Sequence, residues 1–196
     1  MDIIILDTGC ANLSSVKFAI KRLGYNPIIT NEYKTVLHAE KIILPGVGTP
    51  FAAMSNLKKY KLIDIILNYT KPILGICLGM QLFCAYSEES KNIKNLNIIK
   101  YPILSLPKNN LPLPHIGWNK VYSCKKNVLF RNIMDGSRFY FLHQYMLPIN
   151  KYSILKTDYG CFFSAAFQKK NFFGIQFHPE KSGPLGSQLL KNFLEI

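Results

Sequence analysis

Cys77 stands between two glycines in the segment GICLG, residues 75–79. An apolar run precedes it, and a helix-type pattern follows from Leu78. A sharp strand-to-helix turn of this kind displays a nucleophile at a helix N-terminus, where the helix dipole favours a thiolate. The turn also aims the Leu78 amide at the position where an oxyanion would form. The pattern alone leaves a purely structural turn equally open.

A thiolate nucleophile needs a base, and His178 is the candidate among histidines 38, 115, 143 and 178. It lies in GIQFHPE (174–180), after an apolar strand pattern that Pro179 ends. Glu180 is close enough to accept a hydrogen bond from the imidazole and fix its tautomer. A lone histidine at a strand end is usually structural. Together with Cys77, however, His178 and Glu180 predict a nucleophile, base and carboxylate set.

A second glycine-containing segment, PGVG (45–48), follows another apolar run. Two glycines in such a loop let backbone N–H groups turn toward a ligand. We therefore expect a second oxyanion donor from Gly48 or its neighbour. A plain strand-to-helix turn is the alternative.

These segments need elements to position them, and the first half of the chain alternates between strand and helix patterns. Alternation of this kind predicts an α/β fold with a mostly parallel sheet and helices on its faces. Sites then lie beyond the carboxyl ends of the strands, here at 9–12, 45–48 and 75–79. The predicted strands are 2–7, 26–30, 41–46 and 71–76, and the predicted helices are 12–23, most of 50–70, and 78 to about 86.

The second half of the chain is rich in aromatic strand patterns. We expect short strands and loops over 98–122, an antiparallel or mixed extension of the sheet, and a final helix over 185–195. We predict that residues 1–196 form a single domain. The predicted strands of the extension are 139–145, 152–157, 162–168 and 172–177.

Composition excludes several classes of protein. The net charge of +13 results from 24 basic and 11 acidic residues; the basic residues are 21 scattered lysines and only 3 arginines, which argues against nucleic-acid binding. No apolar run is long enough to span a membrane, and the N-terminus resembles a strand rather than a signal peptide. The five cysteines form no CxxC pair, which argues against a zinc site or a disulfide framework. We expect a cytoplasmic protein without a metal or cofactor.

PGVG, GICLGMQ and FHPE, in this order and at these separations, resemble the class I (triad-type) glutamine amidotransferases. The expected fold is therefore flavodoxin-like. LDTGCANLSSV (6–16) and LPLPHIGWN (111–119) resemble more narrowly the glutaminase subunits of imidazole glycerol phosphate synthase, and this likeness covers essentially the whole chain. Such subunits hydrolyse glutamine and pass the ammonia to a cyclase subunit, a (β/α)8 barrel, in histidine biosynthesis.

The resemblance implies roles for individual residues. Cys77 would attack glutamine, His178 would transfer the proton, and Glu180 would orient His178. Leu78 and the Gly48 region would form the oxyanion hole. Gln81 and Glu89 match positions that bind the substrate, although on position alone each would be an ordinary helix residue.

The resemblance also implies a heterodimer with the cyclase subunit. Asn12, Trp118 and Lys181 match positions that face this partner, although a buried core ring is the alternative for Trp118. Gln144 departs from the family, in which a small hydroxyl residue is expected after His143. The competing hypotheses are the glutaminase of another amidotransferase, such as that of anthranilate synthesis, and a catalytically silent protein of the same fold.

Overall fold

The computed structural model describes residues 2–9, 12–90 and 93–196, and within them eight strands form one central sheet. Five strands are parallel, and their order is that of flavodoxin-like sheets. The predicted mostly parallel sheet with an antiparallel extension is confirmed. In sheet order the parallel strands are β2 (Ile28–Thr30), β1 (Ile3–Leu6), β3 (Lys41–Leu44), β4 (Ile73–Ile76) and β12 (Phe172–Ile175); the antiparallel strands are β11 (Phe162–Lys169), β10 (Ser153–Asp158) and β7 (Tyr122–Ser123).

Helices cover both faces of this sheet. Local capping explains where two of them begin: Asn12 accepts a hydrogen bond from the Ser15 N–H at the start of the first helix, and Thr49 caps the helix that begins at Pro50. None of the described helices has the length and apolar character to cross a membrane. The helices are α1 (Leu13–Arg22), α2 (Tyr33–His38), α3 (Pro50–Lys59), α4 (Ile63–Asn68), α5 (Leu78–Leu82) and α6 (Gly183–Leu194).

Two of these helices differ from the prediction. The short helix α2 was not predicted. Helix α5 ends at Leu82 rather than near residue 86, because the chain beyond it bonds to a distant segment: the Ala85 N–H donates to the Tyr101 carbonyl, and the Asn95 N–H donates to the Ala85 carbonyl. Such long-range partners are invisible in a local pattern.

The apolar core is divided between the two faces of the sheet. Strand β1 shows the division, since Ile3 and Ile5 belong to one buried cluster while Ile4 and Leu6 belong to the other. Successive side chains of a strand point to opposite faces, so a strand covered on both sides is apolar throughout. This is why the parallel strands are continuous apolar runs in the sequence.

Two short antiparallel ladders lie outside the central sheet. Strand β6 (His115–Lys120) pairs with β8 (Arg138–His143), and β5 (Leu104–Ser105) pairs with β9 (Tyr145–Met146). The prediction that residues 139–145 extend the main sheet is therefore wrong, whereas β10 and β11 do extend it. Pairing partners are chosen by long-range packing, which local β-propensity does not specify.

Candidate active site

Cys77 occupies a strained turn between β4 and α5. Its backbone has a φ of 53° and a ψ of −110°, a conformation that residues other than glycine rarely adopt. A Cβ added to Gly79 would overlap the carbonyl of Leu44, and one added to Gly75 would lie 2.6 Å from the Gly79 oxygen. The two glycines are therefore required for the close reversal of the chain around the thiol.

His178 lies beside this turn because β12 and β4 are adjacent parallel strands. The Cys77 N–H donates to the Ile175 carbonyl at 2.8 Å, which joins the ends of the two strands. His178 Nδ1 lies 2.8 Å from Glu180 Oε1, and the two side chains are only 4% and 3% exposed. The carboxylate thus fixes the ring with Nδ1 as the donor and leaves Nε2 free for proton transfer.

The electrostatics of His178 are set by its two neighbours. Burial lowers the pKa of His178, but the nearby Cys77 sulfur and the Glu180 carboxylate outweigh burial and raise that pKa to about 10. His178 Nε2 itself is buried and has no hydrogen-bond partner among the described residues. The Cys77 sulfur is thus near enough to the ring to raise its pKa, although no hydrogen bond of normal geometry joins them.

Cys77 opens into a cavity of about 330 Å³, a size that suits a small ligand. Four residues singled out in the sequence line it with Cys77: Gly48, Leu78, Gln81 and Glu89. Gln144 lines it as well. The remaining lining residues are Val47, Pro114, Leu142, His143 and Tyr145.

The loop that contains Gly48 packs closely on Leu78, the other candidate oxyanion donor. Leu78 is the first residue of α5, so its N–H has no partner within the helix. A Cβ added to Gly46 would lie 2.7 Å from the Leu78 Cβ, which shows how closely the PGVG loop packs on this residue. Gly48 has a φ of 95°, which only glycine adopts readily.

Gln81 is buried, only 4% exposed, and is therefore not a solvated helix residue. Its Nε2 donates to the Tyr145 carbonyl and to Gln176 Oε1, both at 3.0 Å. The side chain is thus held at the floor of the cavity by two distant segments of the chain.

Glu88 and Glu89 are adjacent in sequence but differ in setting. Glu88 is exposed, and its Oε2 accepts a 2.7 Å hydrogen bond from the Ser105 N–H. Glu89 is half-buried at the cavity, and burial raises the pKa of its carboxyl group. The cavity therefore offers one carboxylate to a cationic group.

Sequence reasoning gave no role to two buried histidines that form a hydrogen-bonded chain. His143 Nδ1 lies 2.9 Å from the Tyr145 carbonyl, and a carbonyl can only accept, so this nitrogen donates. His143 Nε2 must then accept from His115 Nδ1, 3.1 Å away, and His115 Nε2 accepts from Asn119 at 3.4 Å. Burial lowers the pKa of His115 to about 4 and that of His143 to about 3, so both rings are neutral near pH 7. The only sequence signal was their position in apolar strands.

Trp118 is 53% exposed, so the alternative of a buried core ring is wrong. Its ring meets Tyr140 edge-on with centroids 6.2 Å apart, and Lys181 Nζ lies 5.7 Å from the Tyr140 ring centroid. We call these three residues the aromatic surface. The Tyr140 carbonyl accepts a 2.8 Å hydrogen bond from the His178 N–H, so the aromatic surface is directly attached to the candidate base.

Asn12 is exposed at the start of α1, and this helix packs against residues 179–181. The prediction of a site at 9–12 includes Cys10 and Ala11, which lie outside the described residues. Within the described ranges, no group of three or more histidine, cysteine or acidic side chains could hold a metal ion.

Comparison with known proteins identifies the family. Residues 4–196 match the family described as glutamine amidotransferase class-I. A solved glutamine amidotransferase has a TM-score of 0.76 at 13% identity, with 98% of this chain and 97% of that chain covered. PurLQS from Thermotoga maritima has a TM-score of 0.73 at 17% identity, with 99% and 97% covered. The chain belongs to the class-I glutamine amidotransferases.

Curated relatives narrow the assignment within that class. The chain is 61% identical over 196 residues to the imidazole glycerol phosphate synthase subunit HisH of Buchnera aphidicola subsp. Acyrthosiphon pisum (strain APS), and 55% identical over 196 residues to that of Salmonella typhimurium. Each comparison covers 100% of both chains. Within the class-I glutamine amidotransferases, the chain belongs to the HisH family.

Proposed function

We propose that the chain is the glutaminase subunit of an imidazole glycerol phosphate synthase. It hydrolyses L-glutamine to glutamate and ammonia, and the ammonia passes to the cyclase subunit, HisF. There it supports formation of imidazole glycerol phosphate and aminoimidazole carboxamide ribotide (AICAR) in histidine biosynthesis. One observation carries the proposal: Cys77 on its strained turn, the His178–Glu180 pair and the cavity meet at the ends of two adjacent strands. We further propose that residues 1–196 act as one amidotransferase domain.

The proposed reaction uses Cys77 and His178 in two stages. The sulfur attacks the side-chain amide carbon of glutamine, while His178 receives the thiol proton and delivers it to the departing ammonia. His178 then takes a proton from water, whose oxygen attacks the glutamyl thioester and releases glutamate, and the proton returns to the sulfur. Glu180 stabilises the imidazolium form of His178 in each stage.

Backbone donors stabilise the charge that develops on the carbonyl oxygen. The Leu78 N–H is the first donor, and a backbone N–H of the Gly48 region is the second. The glycines of the PGVG loop could let the second donor turn into place only when the partner is bound. We therefore expect low glutaminase activity in the isolated chain and higher activity when the cyclase binds its ligand; equal turnover in both states would contradict this.

Gln81 and Glu89 hold the substrate. Glu89 contributes a half-buried carboxylate that suits the α-ammonium group of glutamine. Gln81 is fixed against the same cavity by its two hydrogen bonds. Water and these side chains suffice for the proposed hydrolysis, and we propose no cofactor.

We propose that the aromatic surface, together with Asn12, faces the cyclase in a heterodimer. An exposed tryptophan packed on a tyrosine beside a lysine is typical of an interface hot spot. Replacing Trp118 by alanine should weaken the complex about 30-fold in titration calorimetry. Met134→Ala is the control, since Met134 is exposed and lies elsewhere; equal affinities of the two variants would contradict the proposal.

The role of Cys77 as the nucleophile is tested by comparing glutamine and free ammonium salt as the source of ammonia. In the complex with the cyclase subunit, Cys77→Ala should abolish glutamine-dependent formation of imidazole glycerol phosphate. Synthesis fed by free ammonium salt should continue at the wild-type rate, because that reaction bypasses the thiol. If glutamine still supports synthesis by the variant, Cys77 is not the nucleophile.

A further inference from the structure

A buried side-chain amide connects the turn that carries Cys77 with the segment that carries His178. Gln176 is 0% exposed, and its Oε1 accepts the 3.0 Å hydrogen bond from Gln81 Nε2. Its own Nε2 lies 3.6 Å from Cys77 Sγ, a hydrogen-bond distance for the larger sulfur atom. The mechanism proposed above gives Gln176 no task.

The direction of these hydrogen bonds follows from the Tyr145 carbonyl. This carbonyl can only accept, so the Gln81 group that faces it must be the NH₂. The second proton of that NH₂ points at Gln176, so Gln176 must accept it with its side-chain oxygen. Gln176 is then left with its NH₂ directed at the sulfur. Rotating either amide by half a turn would bring two acceptors or two donors together.

The sulfur has a second neighbour, which is a hydrogen-bond acceptor rather than a donor. Cys77 Sγ lies 3.6 Å from the Leu142 carbonyl, which accepts the S–H of the neutral thiol. Once the thiol loses its proton, this carbonyl no longer has a donor to accept from, whereas an N–H directed at the sulfur binds a thiolate more strongly than a thiol. Gln176 is therefore placed to favour the reactive form.

We propose that Gln176 is a further catalytic residue, whose N–H binds the Cys77 sulfur and stabilises the thiolate, with Gln81 holding the amide in the required orientation. The consequence for turnover rests on the proposed glutaminase function. The contact between Gln176 and Cys77 does not rest on that function, because it concerns only the reactivity of the thiol.

The test follows alkylation of Cys77 by iodoacetamide over a range of pH, with the Cys77 peptide quantified by mass spectrometry. Gln176→Met removes the donor, and the rate at neutral pH should fall about tenfold, because one hydrogen bond to a charged group is lost. The pH profile should move upward by about one unit. Gln176→Glu keeps an acceptor for Gln81 but places a carboxylate near the sulfur, so its profile should move at least as far.

Gln168→Met is the matched control. Gln168 likewise accepts one hydrogen bond, from Asn127, and donates one, to the Lys170 carbonyl, but it contacts neither Cys77 nor the cavity. This variant should lose some thermal stability yet keep the wild-type alkylation profile. A wild-type profile in either Gln176 variant overturns the proposal, as does an equal shift in Gln168→Met.

Glutamate release in the complex with the liganded cyclase separates this proposal from the proposed function. Gln176→Met should lower kcat about tenfold, leave KM within about twofold and leave ammonia-dependent synthesis unchanged. If the wild-type complex releases no glutamate, the proposed function fails, while the alkylation comparison still decides the role of Gln176. If kcat is unchanged although alkylation slows, the catalytic part of the proposal is overturned.

Discussion

The cavity has two walls that are built in different ways. On the side of the central sheet Cys77 lines the cavity, while Gln176 and His178 do not line it but stand beside Cys77 at the ends of adjacent parallel strands. The opposite wall, residues 142–145, belongs to the short ladders outside that sheet. Hydrogen bonds join the two walls: the Tyr145 carbonyl accepts from Gln81 Nε2, and the Tyr140 carbonyl accepts from the His178 N–H.

The two walls also differ in the way they are packed. The wall of the central sheet is held by continuous ladders and two apolar layers, so it fixes Cys77 and His178 rigidly. The ladder wall also carries Trp118 and Tyr140, and Phe139 and Phe141 of β8 pack in one of the two apolar clusters. If the proposed partner binds there, we expect it to shift residues 142–145 and the His178 N–H contact at Tyr140 more than the sheet.

The largest expected effect contrasts a glycine of each wall. In Gly79→Ala the new methyl group would overlap the Leu44 carbonyl, so the folded state should lose about 4 kcal/mol or more. Gly117 lies in β6 with no atom within 4 Å of an added Cβ, and its φ of 130° alone should make Gly117→Ala cost about 1 to 3 kcal/mol. Urea unfolding of both variants measures the difference. Equal losses would contradict a more tightly packed central wall.

The next effect concerns the base. In Glu180→Gln the new amide would donate to His178 Nδ1 and place the ring proton on Nε2, where it blocks acceptance of the thiol proton. In the complex, kcat for glutamine should fall about 10²- to 10⁴-fold with little change in KM. Ammonia-dependent synthesis serves as the control and should stay unchanged. A kcat within twofold of the wild type would remove Glu180 from the mechanism.

A smaller effect distinguishes the neighbouring glutamates. Glu89→Gln should raise the KM for glutamine about tenfold, since a charged contact to the substrate is lost. Glu88→Gln should leave KM unchanged, because Glu88 contacts the Ser105 N–H rather than the cavity. Steady-state glutaminase assays of the two variants decide this, and equal KM values would show that Glu89 does not bind glutamine.

The smallest effect is the pH dependence of stability through the ladder wall. His115 and His143 have pKa values of about 4 and about 3 in the folded chain, below the roughly 6.5 of an unfolded histidine. At pH values between these folded-state pKa values and about 6.5, the unfolded state therefore binds more protons than the folded state. The stability that is present above about pH 6.5 is lost as the pH falls through this range.

His115→Gln should flatten this loss by up to about 1.4 kcal/mol per pH unit, measured by urea unfolding at about pH 7 and pH 5. His178 affects the pH dependence of stability in the opposite direction. Because its pKa is raised to about 10, its contribution to the stability of the fold is lost as the pH rises through that value. An unchanged slope in His115→Gln would mean that the buried ring does not titrate as described.

The local motifs were predictable because they depend on near neighbours in the chain. Apolar runs, glycines at a tight reversal and a carboxylate two residues after a histidine all follow from short-range sterics and hydrogen-bond reach. These signals located the parallel strands, the turn at Cys77 and the His178–Glu180 pair. The family resemblance then supplied the hypothesis that Gln81 and Glu89 bind substrate, which position alone did not favour.

The tertiary structure decided what depends on contacts between distant residues. Gln176 reaches Cys77 across 99 positions, and β8 pairs with β6 rather than with the central sheet. Burial of Gln81, exposure of Trp118 and the neutral His115–His143 pair likewise follow from packing. The physical reason is that periodicity specifies which face of an element is buried, whereas only the packed chain determines which side chains meet there.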